Sequence, residues 1–372
     1  MKILVYSAAN ARAVDQQSQA VLFKQMGHEA ILLTWTPWGV LHENFVAAGG
    51  SAYSSNVKGR HIFFFIRHFF FLIRFCRQHQ IDIIISNAQG CAVVTGFAKF
   101  FMKARPVYER HNTNLYGESF KNSLKDRCFN WLANNLSSNF IAISGKVKDQ
   151  LIKENVAEKK IHQINLCYDP VQYKNDNAGK ESEIKKLYKA DLVILYIARL
   201  VHRKRHEIAF NVAKKLVAAG VDLKLVCIGH GESRQELEQW INENNMQDTI
   251  ILTGHVSNVF DYIKASDIVM LLSVSEASSH IVKEAAFCNK TVIVCKGVGD
   301  FEETVVHGYN GFLVDRENPL EGTVEILQNI VRDKNSLGLL SANILKTVNE
   351  KFSIESVKEK YQLLFDTVLH KK

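Results

Sequence analysis

The chain has 372 residues, of which 47% are hydrophobic and 23% are charged, with 20 Gly, 4 Pro and 7 Cys. This composition excludes collagen-like, intrinsically disordered and small disulfide-stabilised proteins, and the length is typical of two domains that each bury a core. The net charge of +8 is concentrated in one half, because residues 1–170 hold 20 Lys and Arg against 11 Asp and Glu. The remainder of the chain is nearly neutral.

The beginning of the chain predicts a buried strand at residues 2–6. Its apolar run is too short for the hydrophobic region of a signal peptide, and no cleavage pattern follows it. The cysteines are odd in number, form no Cys-x-x-Cys pair and mostly lie in apolar runs. We therefore expect a cytoplasmic protein with reduced thiols, without disulfides or a cysteine metal site.

Short apolar runs alternate with amphipathic helical patterns over most of the chain, which is typical of parallel βαβ units. Strands are predicted at residues 2–6, 29–34, 81–86, 106–109, 140–143, 161–166, 192–197, 223–228, 250–252, 268–272, 291–294 and 311–314. Helices are predicted at residues 15–26, 121–136, 206–219, 233–244, 259–265, 281–287 and 320–331. Each half thus predicts a doubly wound sheet that binds ligands at the carboxyl ends of its strands.

A polar segment and a late helical pattern set the expected domain limits. Residues 169–190 contain Pro, Gly and few large apolar side chains, which predicts a linker between a domain at 1–168 and a second at 191–352. The pattern at residues 353–372 follows the end of the second sheet. We expect it to form a helix that packs back on the first domain.

The strongest local pattern is a pair of glutamates, Glu276 and Glu284, which stand eight residues apart. The surrounding patterns put Glu276 in a strand-to-helix loop and Glu284 in the helix. Backbone N–H groups of Ser278, Ser279 and His280 then lie at the helix N-terminus, where the partial positive charge favours an anion. The alternative is that Ser278 or Ser279 is only an N-cap and Glu284 is a solvated helical residue.

Basic residues follow the strand predicted at residues 192–197. Arg199 ends that strand, and Lys204 follows within the sequence His-Arg-Lys-Arg-His. A guanidinium and an ammonium group suit the two phosphates of a diphosphate, although a solvated basic turn is the alternative. Two further strands end in small-residue loops, at 229–232 and 253–256, where backbone can approach a ligand closely.

Taken in chain order, these segments resemble the retaining glycosyltransferases of family 4. The matching segments are residues 25–29 (QMGHE), 142–144 (AIS), Asp169, 199–204, 228–231 (IGHG), 252–256 (LTGHV), 276–284, 298–303 (VGDFEE), 310–314 (NGFLV) and 352–353 (FS). The resemblance implies an α/β fold of the GT-B type, with two Rossmann-like doubly wound domains facing across a cleft and a C-terminal helix that crosses back to the first. It also implies transfer of a sugar from a nucleotide diphosphate sugar, with UDP favoured over GDP.

The resemblance assigns roles to individual residues. Glu276 and His111 are expected at the transferred sugar as the catalytic residues. Arg199 and Lys204 are expected at the donor diphosphate, and Glu284 at the ribose. The other expected donor contacts are Ser278, Ser279, His280, Gly254, His255 and Val256.

The first domain is expected to bind a glycan or lipid-linked acceptor of bacterial-type surface polysaccharide or lipopolysaccharide synthesis. The expected acceptor contacts are Arg12, Trp35, Trp38 and Asn112. A core position is the alternative for both tryptophans, and a capping or core position is the alternative for His111.

The chain departs from the family pattern at three places. Residues 7–12 (SAANAR) replace a Gly-Gly loop, Leu166-Cys167 replaces an Asn-Gly, and residues 277–279 (ASS) replace a Gly-Phe-Gly. The last change alters the expected surroundings of the donor sugar, so the sugar is not predicted. The chain contains no Asp-x-Asp, so no metal is expected in the reaction.

Residues 59–80 combine seven phenylalanines with regularly spaced arginines. On a helix, Arg60, Arg67 and Arg74 form a narrow basic stripe beside a wide aromatic surface. The arginines interrupt the apolar run, which is too short to span a bilayer. Either this is a core helix with solvated arginines, or part of it binds an anionic inner-membrane surface from the cytoplasmic side.

Other function classes fit less well. Nucleic-acid binding is not expected, because the basic residues alternate with Phe and no recognition module is present. A non-hydrolysing nucleotide-sugar epimerase shares the double-Rossmann architecture and is one alternative. A catalytically degenerate nucleotide-sugar-binding protein is the other, although the chain retains the cations and glutamates of the site.

Overall fold

The computed structural model describes residues 1–10, 13–59, 61–112, 124–173, 178–256 and 258–370. It divides into two compact units. The first unit comprises Met1–Asp169 together with Lys351–Lys372, and the second comprises Pro170–Glu350.

The first unit is built on a parallel sheet covered by helices. Its strands are β1 (Lys2–Ser7), β2 (Glu29–Thr34), β3 (Ser51–Ser54), β4 (Ile83–Ser86), β5 (Arg105–Arg110), β6 (Phe140–Ala142) and β7 (Ile161–Gln163). Its helices before the second unit are α1 (Val14–Gln25), α2 (Val40–Ala47), α3 (His61–His79), α4 (Gln89–Ala98), α5 (Leu124–Leu136) and α6 (Gly145–Lys153). The strand order β3-β2-β1-β4-β5-β6-β7 reverses direction between β1 and β4, which is a topological switch point.

The second unit has the same architecture. Its strands are β8 (Leu192–Ile197), β9 (Leu223–Ile228), β10 (Ile250–Gly254), β11 (Ile268–Leu271), β12 (Val292–Cys295) and β13 (Phe312–Val314), in the order β10-β9-β8-β11-β12-β13. Its helices are α7 (Ala178–Leu187), α8 (His206–Ala218), α9 (Arg234–Glu243), α10 (Val259–Ala265), α11 (His280–Phe287), α12 (Phe301–Thr304), α13 (Pro319–Arg332) and α14 (Ser336–Phe352). Here the order reverses between β8 and β11, so this unit too has a switch point.

The last helix, α15 (Ile354–His370), belongs to the first unit as expected. Its buried residues Tyr361 and Phe365 are four positions apart and therefore lie on one face. Both rings make edge contacts with Phe23 of α1, with centroids 5.5 and 5.7 Å away. Packing of this apolar face anchors the end of the chain on the first unit.

The segment between the two units and one edge of the first sheet differ from the sequence expectations. The polar segment at 169–190 is not a free linker, because α7 forms within it and packs against α10 of the second unit. Ile184 and Tyr188 supply the apolar face that allows this, and both are buried. Strand β3 was not predicted, since a short edge strand of Ser, Ala and Tyr has no apolar run to reveal it.

Candidate active site

In the second unit, the loops after β8 and β11 are tied together. The buried Tyr196 accepts a hydrogen bond from the Leu272 N–H through its hydroxyl at 3.0 Å and donates one to the Lys204 carbonyl. The Val274 N–H donates to the Arg203 carbonyl at 3.1 Å. These bonds hold the 3-10 turn His202–Lys204 beside the loop that carries Glu276.

Lys204 and Glu276 form an ion pair in this place. Their side chains are only 12% and 13% exposed, so the pair is largely desolvated. Burial lowers the pKa of Lys204, and although Glu276 acts in the opposite direction, the charges of Arg203 and Arg199 add to the lowering. The structure thus brings Lys204 and Glu276 together, and the exposed Arg199 is close enough for its charge to act on Lys204.

Two glycines let the loop after β9 approach the loop after β8. A Cβ at Gly229 would lie 2.0 Å from the Ala198 carbonyl oxygen, and one at Gly231 would lie 2.2 Å from that of Leu200. Gly229 also has φ +146, in the region that favours glycine. The Leu200 N–H donates to the His230 carbonyl at 3.0 Å, so backbone from two strand ends lines the site.

The loop after β10 joins the same edge of the sheet. The Gly254 carbonyl accepts a hydrogen bond from the Gly229 N–H at 2.9 Å, which brings the ends of β9 and β10 together. His255 is exposed and Val256 is half-buried. The second-unit residues expected at the donor therefore cluster at the carboxyl ends of the strands.

Helix α11 begins beside Glu276. Ser279 is its N-cap residue, but within the described residues its side chain makes no capping hydrogen bond. His280 is the first helical residue. Glu284 is 3% exposed, so the alternative of a solvated helical residue is wrong for Glu284. A buried carboxylate near a helix start is suited to accept hydroxyl hydrogen bonds.

A buried ion pair between α11 and the loop after β12 was missed by the sequence interpretation. Lys283 pairs with Asp300 at 0% and 1% exposure, and Ser278 donates a hydrogen bond to the same carboxylate at 2.7 Å. Asp300 Oδ1 has no hydrogen-bond partner among the described residues. Asp300 lies within the matched segment VGDFEE, but nothing in that pattern revealed its partner.

Gly299 explains how the loop after β12 reaches this site. It has φ +51, and a Cβ there would lie 3.1 Å from both the Cβ and the carbonyl oxygen of Glu276. The loop therefore packs directly against the residue expected to act on the sugar.

In the first unit, His111 follows the end of β5 and is half-buried. Its Nε2 lies 3.4 Å from Oε2 of the buried Glu109. Asn112 is exposed, and its carbonyl accepts a hydrogen bond from Arg110 at 3.1 Å. Arg12 lies outside the described residues.

The two tryptophans expected at the acceptor have different environments. Trp35 packs against the core, donates its indole N–H to the Tyr6 hydroxyl at 2.6 Å and lies 4.9 Å from the His68 ring. The structure therefore favours the core alternative for Trp35. Trp38 is 53% exposed and stacks on His42 at 4.7 Å, which leaves one face available for a sugar.

Two protein-family models match the chain. The model for glycosyl transferases group 1 matches residues 178–343, and the model for glycosyltransferase family 4 matches residues 19–172. The chain belongs to the family 4 glycosyltransferases. One model falls in each structural unit, apart from a few residues at the boundary.

Relatives of this glycosyltransferase include two proteins that are themselves named as glycosyltransferases. The uncharacterized glycosyltransferase MJ1069 of Methanocaldococcus jannaschii is 25% identical over 291 residues, which cover 74% of this chain and 71% of that protein. The capsular polysaccharide biosynthesis glycosyltransferase CapM of Staphylococcus aureus is 25% identical over 242 residues, which cover 63% of this chain and 62% of CapM.

HepE of Anabaena, crystallised with UDP-glucose, has the same fold. It superposes with a TM-score of 0.83 at 20% sequence identity, covering 99% of this glycosyltransferase and 100% of HepE. The α/β architecture of two Rossmann-like units, expected from the sequence as GT-B, is thereby confirmed.

Helix α3 of the glycosyltransferase has both a core face and an exposed aromatic face. Leu72, Ile73, Phe75 and Cys76 pack in the core with β1, β2 and β4. The opposite face exposes four large apolar side chains and three arginines, namely Ile62, Phe63, Ile66, Phe70, Arg67, Arg74 and Arg77. Arg60 lies outside the described residues. Within the described part of the chain, no helix is long and apolar enough to cross a membrane.

Proposed function

We propose that this enzyme is a retaining, metal-independent glycosyltransferase that uses a UDP-sugar to build a bacterial-type surface polysaccharide or lipopolysaccharide. The observation that carries the proposal is the Lys204–Glu276 ion pair near Arg199. It places two cations and a carboxylate together at the carboxyl ends of the strands of the second sheet. CapM, which takes part in capsular polysaccharide synthesis, and HepE, crystallised with UDP-glucose, support the substrate class.

The transfer needs charge stabilisation at two points. As the bond between the anomeric carbon and the diphosphate oxygen breaks, its electron pair goes to the phosphate, where Arg199 and Lys204 stabilise the negative charge. Glu276 stabilises the positive charge at the anomeric carbon. The acceptor hydroxyl bonds to that carbon on the same face, and its proton passes to the leaving phosphate oxygen, which gives retention of configuration.

The remaining donor contacts follow the family resemblance. Glu284 accepts hydrogen bonds from the ribose hydroxyls, and the backbone at residues 278–280 binds sugar or phosphate oxygens at the start of α11. The loop Gly254–Val256 flanks the base, and His111 contacts the transferred sugar. Two side-chain cations and a helix N-terminus supply the electrostatic stabilisation without a metal ion.

A thermal-shift panel of UDP, GDP, ADP and CMP tests donor binding. At about 100 times Kd, the correct nucleotide stabilises the protein by about 2.7 kcal/mol. Lys204→Met raises the Kd for that nucleotide by about tenfold or more, because it removes a cation held at the site. The matched control Lys346→Met changes a 70% exposed lysine and leaves the Kd unchanged. No response to any nucleotide would refute the proposal.

A product analysis tests the chemistry. With the matching UDP-sugar and EDTA present, we expect UDP release and a product whose anomeric configuration, read by NMR coupling constants, equals that of the donor. An inverted product contradicts retention, loss of activity in EDTA contradicts metal independence, and an epimerised donor without transfer identifies an epimerase.

The acceptor is proposed to be a lipid-linked glycan at the cytoplasmic face of an anionic membrane. The exposed face of α3 supports this, because Phe63 and Phe70 stand beside Arg67 and Arg74 on the surface of the basic half of the chain. Aromatic side chains that enter the headgroup boundary and arginines that meet anionic headgroups are the features of an interfacial helix.

Co-sedimentation with vesicles tests this surface. Vesicles with anionic lipid should bind the enzyme more strongly than neutral vesicles, with a loss on raising the salt concentration. Arg67→Gln/Arg74→Gln should weaken binding by about 2 kcal/mol, which is about thirtyfold. The control Lys346→Gln/Lys360→Gln makes the same charge change at exposed lysines outside α3. Equal binding by the two double variants would refute the membrane surface.

A further inference from the structure

A buried carboxylate lies next to His111, and the reaction outlined above does not use it. Glu109, near the end of β5, is 1% exposed. A charge this far from water is stable only when hydrogen bonds and opposite charge replace the lost hydration. The groups that contact Glu109 therefore indicate the role of its carboxylate.

Donors from distant parts of the first unit converge on Glu109. Gln19 Nε2 of α1 lies 3.1 Å from each carboxylate oxygen, and Asn87 Nδ2 after β4 donates to Oε2 at 2.9 Å. The Tyr361 hydroxyl of α15 donates to Oε1 at 3.3 Å and accepts from Gln19 Nε2 at 3.0 Å. These contacts fix the position of the carboxylate.

The fixed carboxylate meets one nitrogen of the His111 ring. Nε2 faces Glu109 Oε2 at 3.4 Å, at the distance of an ion pair, and has no hydrogen-bond partner among the described residues. We assign the proton to this nitrogen in both charge states, because the carboxylate is the charged group nearest to it. Nδ1, on the other side of the ring, is then an acceptor when the ring is neutral and a donor when it is charged.

The surroundings of His111 favour the charged ring. Burial acts to lower the pKa of His111, but the carboxylates of Glu109 and of Asp15, on α1, act more strongly in the opposite direction, and the pKa is raised. Asp15 is itself buried, at 3% exposure. Glu109 and Asp15 are thus both buried acids whose charges act on His111.

We propose that Glu109 is a positioning residue for His111: its carboxylate keeps Nε2 protonated and orients the ring so that Nδ1–H donates to an oxygen of the donor sugar or its phosphate. Through Tyr361, the C-terminal helix α15 takes part in holding this arrangement. The inference deepens the proposed function, because it rests on the assignment of His111 to the transferred sugar.

Histidine NMR titration tests the coupling without any substrate. The His111 signal is assigned as the one that disappears in His111→Gln. In the parent protein it should titrate above the ordinary value of 6.5. In Glu109→Gln the midpoint should fall by about one pH unit, because the opposite charge is lost while the side-chain size is kept.

Tyr361→Phe is the matched control for that titration. It removes a hydrogen bond from the same buried network without changing its charge, so the His111 midpoint should move by less than half as much as in Glu109→Gln. A parent midpoint at or below 6.5, or equal shifts in the two variants, overturns the proposal. The parent measurement decides the matter even if Glu109→Gln does not fold.

The pH dependence of transfer gives the catalytic readout. The charged His111 ring is the active form, so activity falls as pH rises through the His111 pKa. Since Glu109→Gln lowers that pKa, the alkaline limb of kcat should move to lower pH by about one unit, with kcat on that limb down by about tenfold and the KM for the UDP-sugar unchanged. An unmoved limb with a uniformly lower kcat indicates a structural role only and overturns the proposal. If the parent binds no nucleotide, the proposed function fails, while the titration still tests the Glu109–His111 pair.

Discussion

The second unit assembles its site from loops, whereas the first unit assembles its site from side chains on separate elements. Around Lys204 and Glu276, backbone hydrogen bonds and close glycine contacts join the ends of neighbouring strands. Around Glu109, partners come from α1, the end of β4 and α15. The arrangement around Lys204 and Glu276 therefore depends on backbone geometry. The arrangement around Glu109 depends on hydrogen bonds and charges that compensate a buried carboxylate.

Each unit also holds an ion pair whose cation is fully buried, and the two pairs differ in the burial of the carboxylate. Lys283 and Asp300 are 0% and 1% exposed, whereas Arg110 is 0% and its partner Glu154 is 14% exposed. Arg110 reaches both oxygens of Glu154 at 3.0 Å. Water can still solvate Glu154, so the two pairs should respond differently to loss of one partner.

The largest effect is expected at the fully buried pair. Lys283→Met leaves the Asp300 charge buried and should lower the free energy of unfolding by about 3–5 kcal/mol, measured by urea denaturation. Lys283→Met/Asp300→Leu should recover most of this loss, because no uncompensated charge remains. If Lys283→Met is as stable as the parent, the buried Lys283–Asp300 pair is no more sensitive to loss of one partner than the Arg110–Glu154 pair.

A loss of comparable size is expected in catalysis at Glu276. Glu276→Gln should lower kcat by about 10²–10³-fold, because the carboxylate acts on charge that develops in the transition state. The Kd for the nucleotide, measured by calorimetry, should change little in comparison. A kcat within about threefold of the parent would show that the Glu276 carboxylate does not act on the sugar.

The smallest effect is expected at Glu154 in the first unit. Burial acts to raise its pKa, but the hydrogen bonds and charge of Arg110 outweigh it, so the pKa lies below the ordinary 4.5. The pair therefore stabilises the folded state above that value, and the stabilisation is lost as pH falls through the lowered pKa.

Glu154→Gln tests this sign. The variant should lose about 1–2 kcal/mol at neutral pH and show a flatter fall in stability on acidification than the parent, followed by urea denaturation from about pH 6 to pH 3. Parallel curves for the two proteins would show that Glu154 has the same pKa in the folded and unfolded chains.

The positions of the candidate site residues in the second unit could be predicted from sequence in large part. Arg199, Lys204 and Glu276 lie in loops that follow predicted strands, and Glu284 lies in the helix after the last of these loops. Such loops meet at one edge of a parallel sheet. The Lys283–Asp300 pair escaped prediction, since a lysine in an apolar helix carries no mark of its partner 17 residues later.

The first-unit site was predicted less completely. His111 was identified from the sequence, but Glu109 was predicted only as the last residue of a strand. Its partners Gln19 and Tyr361 are 90 and 252 residues away in the chain. The sequence allowed either a core position or an acceptor contact for Trp35 and for Trp38. Only the packing of α3 against Trp35 assigned Trp35 to the core.

The sequence by itself determined the alternation of strands and helices, the two-unit organisation and the strand-end motifs, because these follow from local hydrophobic periodicity and from short spacings. Only the tertiary structure decided which polar groups share a buried space. Burial of Glu109 brings together residues separated by most of the chain, and the cost of leaving a charge unpaired makes that grouping specific. The tertiary structure also decided that part of the excess positive charge of the first half lies on the exposed arginine face of α3.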